Sequence, residues 1–347
     1  MSLNLAFFGL QQKPFNPTPD PAFLYASPGH QEALAHLLYG VQEHKGFILL
    51  TGEVGTGKTT LLRTLLSRLD GNTASAFVFD TTLPFEGLLE YMLEDFGVAK
   101  PGESHAQRLF ALNNFLIERQ RAGQNTVLVL DEAQNLDVRA LEQIRLLSNF
   151  ETHTEKLLQI VLAGQPELLD TLDRPELRQL KQRIGIVCTI PPMTSSGARN
   201  YIRTRLRLAG ARDLGIFTEE ALARISAHSS GIPRVVNTLC DHCLLIGYAD
   251  QTRRIDGDIV EQALSYFHGG TKARPVRRVR SISSVARRRA RRRMGPLGWG
   301  VLGTSAAVVA AVIALAFVHP ELLSQAVDLS TSQLSGITRT VRTLIGR

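Results

Sequence analysis

The sequence predicts an α/β fold with a five-stranded parallel sheet and flanking helices, followed by a helical lid domain and a C-terminal transmembrane helix. Short apolar runs alternate with helical patterns as far as residue 192, which is typical of a buried parallel sheet. Only helical patterns follow, up to residue 268. Farther on, Leu297 to Val318 is a run of 22 residues without a charged side chain, long enough to cross a hydrocarbon core about 30 Å thick.

Strands are expected where apolar residues run together, and helices where apolar residues recur at spacings of three and four. The predicted strands are 47–51, 76–80, 126–132, 157–163 and 185–190. The predicted helices of the α/β part are 30–41, 61–69, 84–96, 104–120, 137–150 and 175–183, and those of the lid are 195–208, 218–228, 233–248 and 256–267.

Six segments follow from these changes in pattern. Their predicted boundaries are 1–30 for an aromatic and proline-rich strap, 31–192 for the nucleotide-binding domain, 193–268 for the lid, 269–293 for a basic linker, 294–318 for the transmembrane helix and 319–347 for an extracytoplasmic tail. The strap cannot be one long helix, because each proline lacks a backbone donor and restricts the residue before it. We expect it to pack over a neighbouring surface. A direct part in holding the adenine ring is the alternative.

The first strand pattern runs directly into a glycine-rich octamer. This octamer, Gly-Glu-Val-Gly-Thr-Gly-Lys-Thr at 52–59, fits the phosphate-binding template G-x-x-x-x-G-K-[ST], and a leucine-rich helical pattern follows it. Glycines let backbone N–H groups wrap a phosphate, and the positive end of the next helix adds attraction. The alternative is a glycine-rich turn with an incidental lysine, which the strand–loop–helix context disfavours.

The octamer implies ATP and Mg²⁺ as ligands. We predict that Lys58 contacts the β- and γ-phosphates and that the Thr59 hydroxyl binds Mg²⁺. The predicted nucleotide-binding residues are Gly52, Glu53, Val54, Gly55, Thr56, Gly57, Lys58, Thr59 and Thr60.

Two carboxylates, Asp131 and Glu132, fall at the C-terminal end of the third strand pattern. Ligands of open α/β sheets bind at that edge. We therefore predict that Asp131 holds Mg²⁺, directly or through water, and that Glu132 orients and deprotonates the attacking water. The alternative is a pair of solvated acids at the start of a helix.

Four further polar residues are candidates for the site. Gln165 follows the fourth strand pattern and is predicted to touch the γ-phosphate or the water; a helix-capping amide is the alternative. Arg183, with Arg178 as second choice, precedes the fifth strand and is the candidate arginine finger for a neighbouring subunit, unless both cations only solvate a helix face. Arg234 lies in the first turn of a lid helix, where it would face the nucleotide or, alternatively, the solvent.

The basic character of the chain belongs to one segment. Residues 272–293 hold eleven of the 39 Lys and Arg residues and no acid, so the rest of the chain has 28 basic against 32 acidic side chains. Arginine clusters bind nucleic acid, but this one borders the uncharged run that begins at Met294, with Trp299 near its end. A basic cluster beside a membrane span marks its cytoplasmic side and attracts anionic lipids. We therefore expect a single-pass helix, with a buried globular helix as the alternative. The three-and-four spacing of apolar residues in the tail is typical of an amphipathic helix.

The three cysteines, Cys188, Cys240 and Cys243, are too few for a disulfide framework. Cys240 and Cys243 resemble half of a metal site, but structural zinc normally takes four ligands. We expect buried free thiols in a reducing compartment.

Several motifs together resemble the general secretion pathway protein A family. They are Phe7-Phe8-Gly9-Leu10, Pro14-Phe15, Thr18-Pro19-Asp20-Pro21, Phe23-Leu24-Tyr25, His30, Glu32-Ala33-Leu34, Gly52 to Thr60, Asp131-Glu132-Ala133-Gln134, Gly164-Gln165-Pro166-Glu167-Leu168 and Gly231-Ile232-Pro233-Arg234. The resemblance covers residues 1 to about 268 and implies an AAA+ P-loop NTPase that acts as an oligomer. It also implies Gln165 as sensor 1 and Arg234 as sensor 2. Full-length members carry a peptidoglycan-binding domain after the membrane span, so the resemblance is to a short form.

Taken together, these features predict an ATPase anchored in the bacterial inner membrane with its ATPase domain in the cytoplasm. Members of the family and their relatives serve secretion, pilus biogenesis and exopolysaccharide export, so the expected partners are further copies of the chain in a ring and an envelope export, pilus or secretin-assembly protein. Nucleic acid is not an expected partner. The alternatives are a DNA-handling ATPase akin to the TniB/TnsC transposition type and a nucleotide-binding adaptor without turnover.

Overall fold

The computed structural model describes residues 3–18, 20–98, 104–153 and 155–267. Its strands are β1 (Phe47–Gly52), β2 (Thr73–Val78), β3 (Asn125–Leu130), β4 (Gln159–Gly164) and β5 (Ile184–Ile190). Its helices are α1 (Leu3–Phe8), α2 (Pro28–Gln42), α3 (Lys58–Arg68), α4 (Phe85–Asp95), α5 (His105–Arg121), α6 (Val138–Leu147), α7 (Glu167–Leu172), α8 (Arg178–Lys181), α9 (Ser195–Leu208), α10 (Glu219–Ser229), α11 (Pro233–Ala249) and α12 (Gly257–Phe267). All of them belong to the compact unit Met1–Arg274.

Five parallel strands form one sheet in the order β2–β3–β4–β1–β5, which confirms the predicted sheet. β1 pairs with β4 on one side and with β5 on the other, so that Thr51 lies opposite both Gly164 and Thr189. β1, β3 and β4 are buried at almost every position, which explains their continuous apolar runs. Because all strands are parallel, the segments that follow β1, β3 and β4 meet at one edge of the sheet.

β2 and β3 each end two residues earlier than predicted. β2 ends at Val78, because the Asp80 carboxylate accepts hydrogen bonds from the backbone N–H and the hydroxyl of Thr82, at 3.1 and 2.6 Å, and so closes a turn. β3 ends at Leu130, because Glu132 adopts a left-handed backbone with φ of 53° that a strand cannot contain. Asp80, Asp131 and Glu132 therefore lie in the loops at the edge of the sheet and not in its strands.

The aromatic strap packs on the helical lid, which is formed by α9 to α12. Its buried Phe8, Leu10, Phe15 and Phe23 share one hydrophobic cluster with the inner faces of the lid helices. The Phe15 ring meets Phe217 edge to face, with centroids 6.0 Å apart, a favourable aromatic geometry. The strap is therefore packed against the lid through its apolar side chains.

A buried arginine of the lid holds the strap in place. Arg205 is only 6% exposed, and its guanidinium donates to three strap carbonyls: Nε to Pro14 at 2.6 Å, Nη2 to Asn16 at 3.2 Å and Nη1 to Phe23 at 3.4 Å. It also lies over the Phe23 ring, 4.5 Å from the centroid. Desolvation lowers the pKa of this guanidinium, so its bonds to the carbonyls offset the cost of burying a charge.

Replacing Arg205 by Ala is expected to lower the free energy of unfolding by about 2–4 kcal/mol, because three strap carbonyls, two of them in buried hydrogen bonds, lose a charged donor. Urea unfolding of the whole chain would measure the loss, and limited proteolysis would show whether the strap becomes accessible. Arg205→Lys keeps the charge but not the planar fork of donors, so it should recover only part of the stability. An Ala variant within 0.5 kcal/mol of the parent protein would contradict this prediction.

No helix within the described residues combines the length and the apolar character needed to cross a membrane. The predicted basic linker (269–293), transmembrane helix (294–318) and tail (319–347) lie outside the described residues. The three cysteines are buried, and desolvation raises the thiol pKa of Cys188 and Cys243 to about 12.

Candidate active site

The loop between β1 and α3 has the geometry that its glycines predict. Gly55 and Gly57 adopt φ of 80° and 104°, in the left-handed region that glycine takes readily. A Cβ on Gly55 would also lie 2.5 Å from Cβ of Arg234, so a side chain there would clash with the lid. Gly57 is the N-cap of α3, which places the positive end of that helix at the loop.

Lys58 opens α3 and points back across the loop. Its Nζ donates to the Gly52 carbonyl at 2.8 Å and to the Glu53 carbonyl at 3.2 Å, and the residue is 5% exposed. Desolvation lowers the pKa of Lys58, while the carboxylates of Glu132 and Asp131 act in the opposite direction. The ammonium is thus held at this loop, the phosphate loop, by two backbone carbonyls, and a bound phosphate would add an opposite charge beside it.

Thr59 and Asp131 come together across the sheet edge. The Thr59 hydroxyl donates to Oδ2 of Asp131 at 2.6 Å, and Oδ1 accepts from the backbone N–H of Glu132 at 3.0 Å. Asp131 is 3% exposed, and desolvation raises its pKa despite these two bonds. A hydroxyl and a carboxylate oxygen at this spacing are the hard oxygen donors that Mg²⁺ takes, so the residues present fit the predicted metal.

Glu132 has its backbone and its carboxylate held by separate partners. The Thr81 hydroxyl donates to the Glu132 carbonyl at 2.8 Å, and Nε2 of Gln134 donates to the carboxylate Oε2 at 2.7 Å. The amide oxygen of Gln134 accepts in turn from the backbone N–H of Gln165 at 3.0 Å. The loop after β3 is therefore bonded to the loop after β4, where the candidate sensor Gln165 lies.

A solvent-open cleft lies between the loop, the strap and the lid. Its lining includes the strap residues Asn16, Thr18, Asp20, Phe23 and Tyr25, the loop residues Val54 to Thr60, Glu132, and the lid residues Tyr201, Arg205, Arg234 and Asn237. The strap therefore contributes a wall of the cavity as well as packing on the lid. An open cleft with the glycine-rich loop and Lys58 in its lining is suited to a nucleotide.

The predicted sensor and finger residues take different positions. Arg234 lines the cavity, and its backbone N–H donates to the Gly55 carbonyl at 3.2 Å, so the lid contacts the phosphate loop directly. Gln165 and Arg183 are not among the described residues that line the cavity. Arg183 precedes β5 at the opposite edge of the sheet, where its Nη1 donates to Ser148 Oγ at 2.6 Å and to Asn149 Oδ1 at 2.7 Å. The exposed Arg178 begins α8.

Sequence reasoning did not assign roles in the site to His30 and Gln134. The His30 ring is buried, with Nε2 3.0 Å from the Thr56 carbonyl and Nδ1 2.7 Å from the Ser27 hydroxyl. Because a carbonyl only accepts, Nε2 carries the proton and Nδ1 accepts from Ser27. Desolvation lowers the pKa of His30, which favours the neutral ring. Both residues belong to the motifs on which the family resemblance rests, and this membership was the sequence signal that could have marked them as site residues.

The sequence and the fold of this chain are similar to those of AAA proteins, which supports ATPase activity. A family model described as an AAA domain matches residues 41–172. General secretion pathway protein A of Aeromonas hydrophila is 44% identical over 255 residues, which are 73% of this chain and 46% of that protein. The chain therefore spans about half the length of the curated relatives it matches.

Two solved archaeal structures share the fold. The ORC2 protein of Aeropyrum pernix is 17% identical, with a TM-score of 0.58 over 74% of this chain and 71% of that one. Cdc6p from Pyrobaculum aerophilum is 20% identical, with a TM-score of 0.55 over 72% of this chain and 71% of that one. At these identities the likeness concerns the fold alone.

Proposed function

Because the matched part of the chain is an AAA ATPase of the general secretion pathway protein A type, we propose that the protein is a membrane-anchored motor of the cell envelope. It hydrolyses ATP in the cytoplasm to drive the assembly or operation of a secretion, pilus or polysaccharide-export apparatus. Its partners are further copies of the chain and an envelope protein of that apparatus.

The observation that carries the ATPase part of the proposal is the convergence of Lys58, Thr59 and Asp131 at one sheet edge, with Thr59 and Asp131 2.6 Å apart. Lys58 binds the β- and γ-phosphates, and Thr59 and Asp131 hold Mg²⁺. When bound, the metal neutralises charge on the phosphates. Glu132 orients the attacking water and accepts its proton.

Arg234 and Gln165 complete the proposed site as nucleotide sensors. Support for Arg234 comes from its place in the cavity lining and from the bond of its backbone to Gly55, which ties the lid to the loop. Support for Gln165 comes from its position directly after β4, the strand between β1 and β3. Hydrolysis of the γ-phosphate would thus alter contacts both of the lid, through Arg234, and of the sheet edge, through Gln165.

Membrane anchoring rests on the sequence of residues 294–318, which contain no charged side chain, and on the arginine cluster at 287–293 before them. A basic cluster on one flank predicts that this flank, and the ATPase with it, stays in the cytoplasm. An ATPase tethered beside the inner membrane would be placed to act on envelope components.

The test is fractionation of bacterial cells that produce the whole chain. We expect the protein in the membrane pellet, where 1 M salt retains it and a non-ionic detergent releases it. Burial of an apolar helix in the bilayer is insensitive to ionic strength, whereas the attraction of a basic patch to anionic lipids is screened by salt. A matched variant, Val309→Arg with Ile313→Arg, adds about 5–7 kcal/mol to the cost of insertion and should leave the pellet.

Two outcomes would contradict membrane anchoring: recovery of the parent protein in the soluble fraction, or its release by salt alone. Salt release together with retention on a DNA column would favour the alternative, a DNA-handling ATPase, because phosphate contacts weaken steeply with salt.

A further inference from the structure

We propose that Gln134 is a positioning residue for ATP hydrolysis: it fixes the carboxylate of Glu132 and ties it to the backbone at the end of β4. The inference rests on the proposed function, because it assumes that Glu132 is the general base. Gln134 was not among the site residues predicted from the sequence, so the inference adds a residue to the site.

The orientation of the Gln134 amide follows from its partners. The backbone N–H of Gln165 can only donate, so the atom 3.0 Å from it must be the amide oxygen. The amide nitrogen therefore faces Oε2 of Glu132 at 2.7 Å. A flipped amide would lose both bonds at once. The side chain is thus a two-ended bridge that fits in one orientation only.

Close packing beneath the bridge keeps it in place. A Cβ built on Gly164 would lie 2.9 Å from Oε1 and 3.3 Å from the backbone nitrogen of Gln134, so only glycine lets the loop after β3 approach the end of β4 this closely. Ala133, next to Gln134, is fully buried. The bridge is therefore built into the sheet edge and is not a contact between two exposed side chains.

Glu132 then has few degrees of freedom left. Its N–H is bonded to Asp131 Oδ1 at 3.0 Å and its carbonyl to the Thr81 hydroxyl at 2.8 Å, and Gln134 removes the freedom of the carboxylate. A base already held in one orientation loses little conformational entropy when it meets the water.

The bridge also connects the base to the strand that carries the candidate sensor. A movement of Gln165 at the end of β4 displaces its N–H, and through Oε1 of Gln134 it alters the position of the carboxylate. The geometry thus couples Glu132 to the sheet edge through three atoms of one side chain.

The experiment compares Gln134→Met, which removes both bonds at nearly constant volume, with Gln134→Glu, which keeps an acceptor for Gln165 but puts a carboxylate opposite Glu132. We expect kcat to fall about 10- to 100-fold in both variants, part of the contribution of a general base. The dissociation constant for ATP should stay within about twofold, because the described hydrogen bonds of the Gln134 side chain go to Glu132 and Gln165 and not to the phosphate loop. Gln143→Met, an exposed position on α6, is the matched control and should behave as the parent.

A second measurement separates positioning from general damage to the fold. If Gln134 acts through Glu132, Gln134→Met should have no further effect on kcat in the Glu132→Gln background, because the base is already absent. Multiplicative losses in the double variant, or an unchanged or raised kcat in Gln134→Met, would overturn the inference. No turnover by the parent protein would overturn the proposed function and the inference with it; turnover by the parent with parental kcat in both variants would overturn the inference alone.

Discussion

Replacing Glu132 by Gln is expected to lower kcat for ATP by a factor of about 10²–10⁴ while the protein still binds ATP. An amide oxygen is too weakly basic to accept the proton of the attacking water. The change in shape is small, because the hydrogen bond from Gln134 to Oε2 can be made to the amide oxygen instead. The phosphate loop and the Thr59–Asp131 pair do not contain the substituted atom, so binding should persist.

Steady-state release of phosphate would measure kcat, and a fluorescent ATP analogue would measure binding. Lys58→Ala is the contrasting variant: it should lose binding as well, because the ammonium that faces the phosphates is gone. The exposed Glu118→Gln on α5 is the matched control. Parental kcat in Glu132→Gln would remove Glu132 from the reaction. No turnover by the parent protein in any oligomeric state would favour the adaptor alternative.

The sheet and the phosphate loop can be predicted from sequence because both depend on local patterns. Strands buried on both faces must be apolar throughout, and β1 and β3 show this. The loop needs glycine where the backbone is left-handed, at Gly55 and Gly57. Local patterns do not fix where each strand ends. The turn at Asp80 and the left-handed backbone of Glu132 end β2 and β3 two residues before the ends that hydrophobicity predicts.

The remaining features of the site depend on contacts between distant segments, which leave no periodic trace in the sequence. Gln134 meets a backbone N–H 31 residues away, and Arg205 meets a carbonyl 191 residues away. Residue type alone does not say which glutamine will bridge a base or which arginine will be buried. Once the topology places β4 between β1 and β3, the pairing of Gln134 with Glu132 and Gln165 can be recognised.

Replacing Arg183 by Ala is expected to abolish most ATP turnover, by a factor of about 10³ or more, if the residue acts as a finger on the nucleotide of a neighbouring copy. Arg183 lies at the sheet edge opposite the phosphate loop and bonds to Ser148 and Asn149 of its own chain, so its own nucleotide is out of reach. Because it is exposed, its removal should change the stability of the isolated chain by less than about 1 kcal/mol. Arg178→Ala tests the second candidate in the same assay, and the exposed Arg139→Ala on α6 is the control.

Mixing two inactive variants distinguishes a finger supplied by a neighbour from one used within the same chain. In a ring that contains both Arg183→Ala and Glu132→Gln subunits, some interfaces combine an intact Glu132 from one copy with an intact Arg183 from the next. Random assembly of equal amounts should therefore restore up to about a quarter of the parental turnover, because the head-to-tail interface of a ring brings different surfaces together. A finger acting within its own chain would give no recovery, since every subunit would still lack one of the two groups. Recovery with Arg178→Ala in place of Arg183→Ala would transfer the role to that residue.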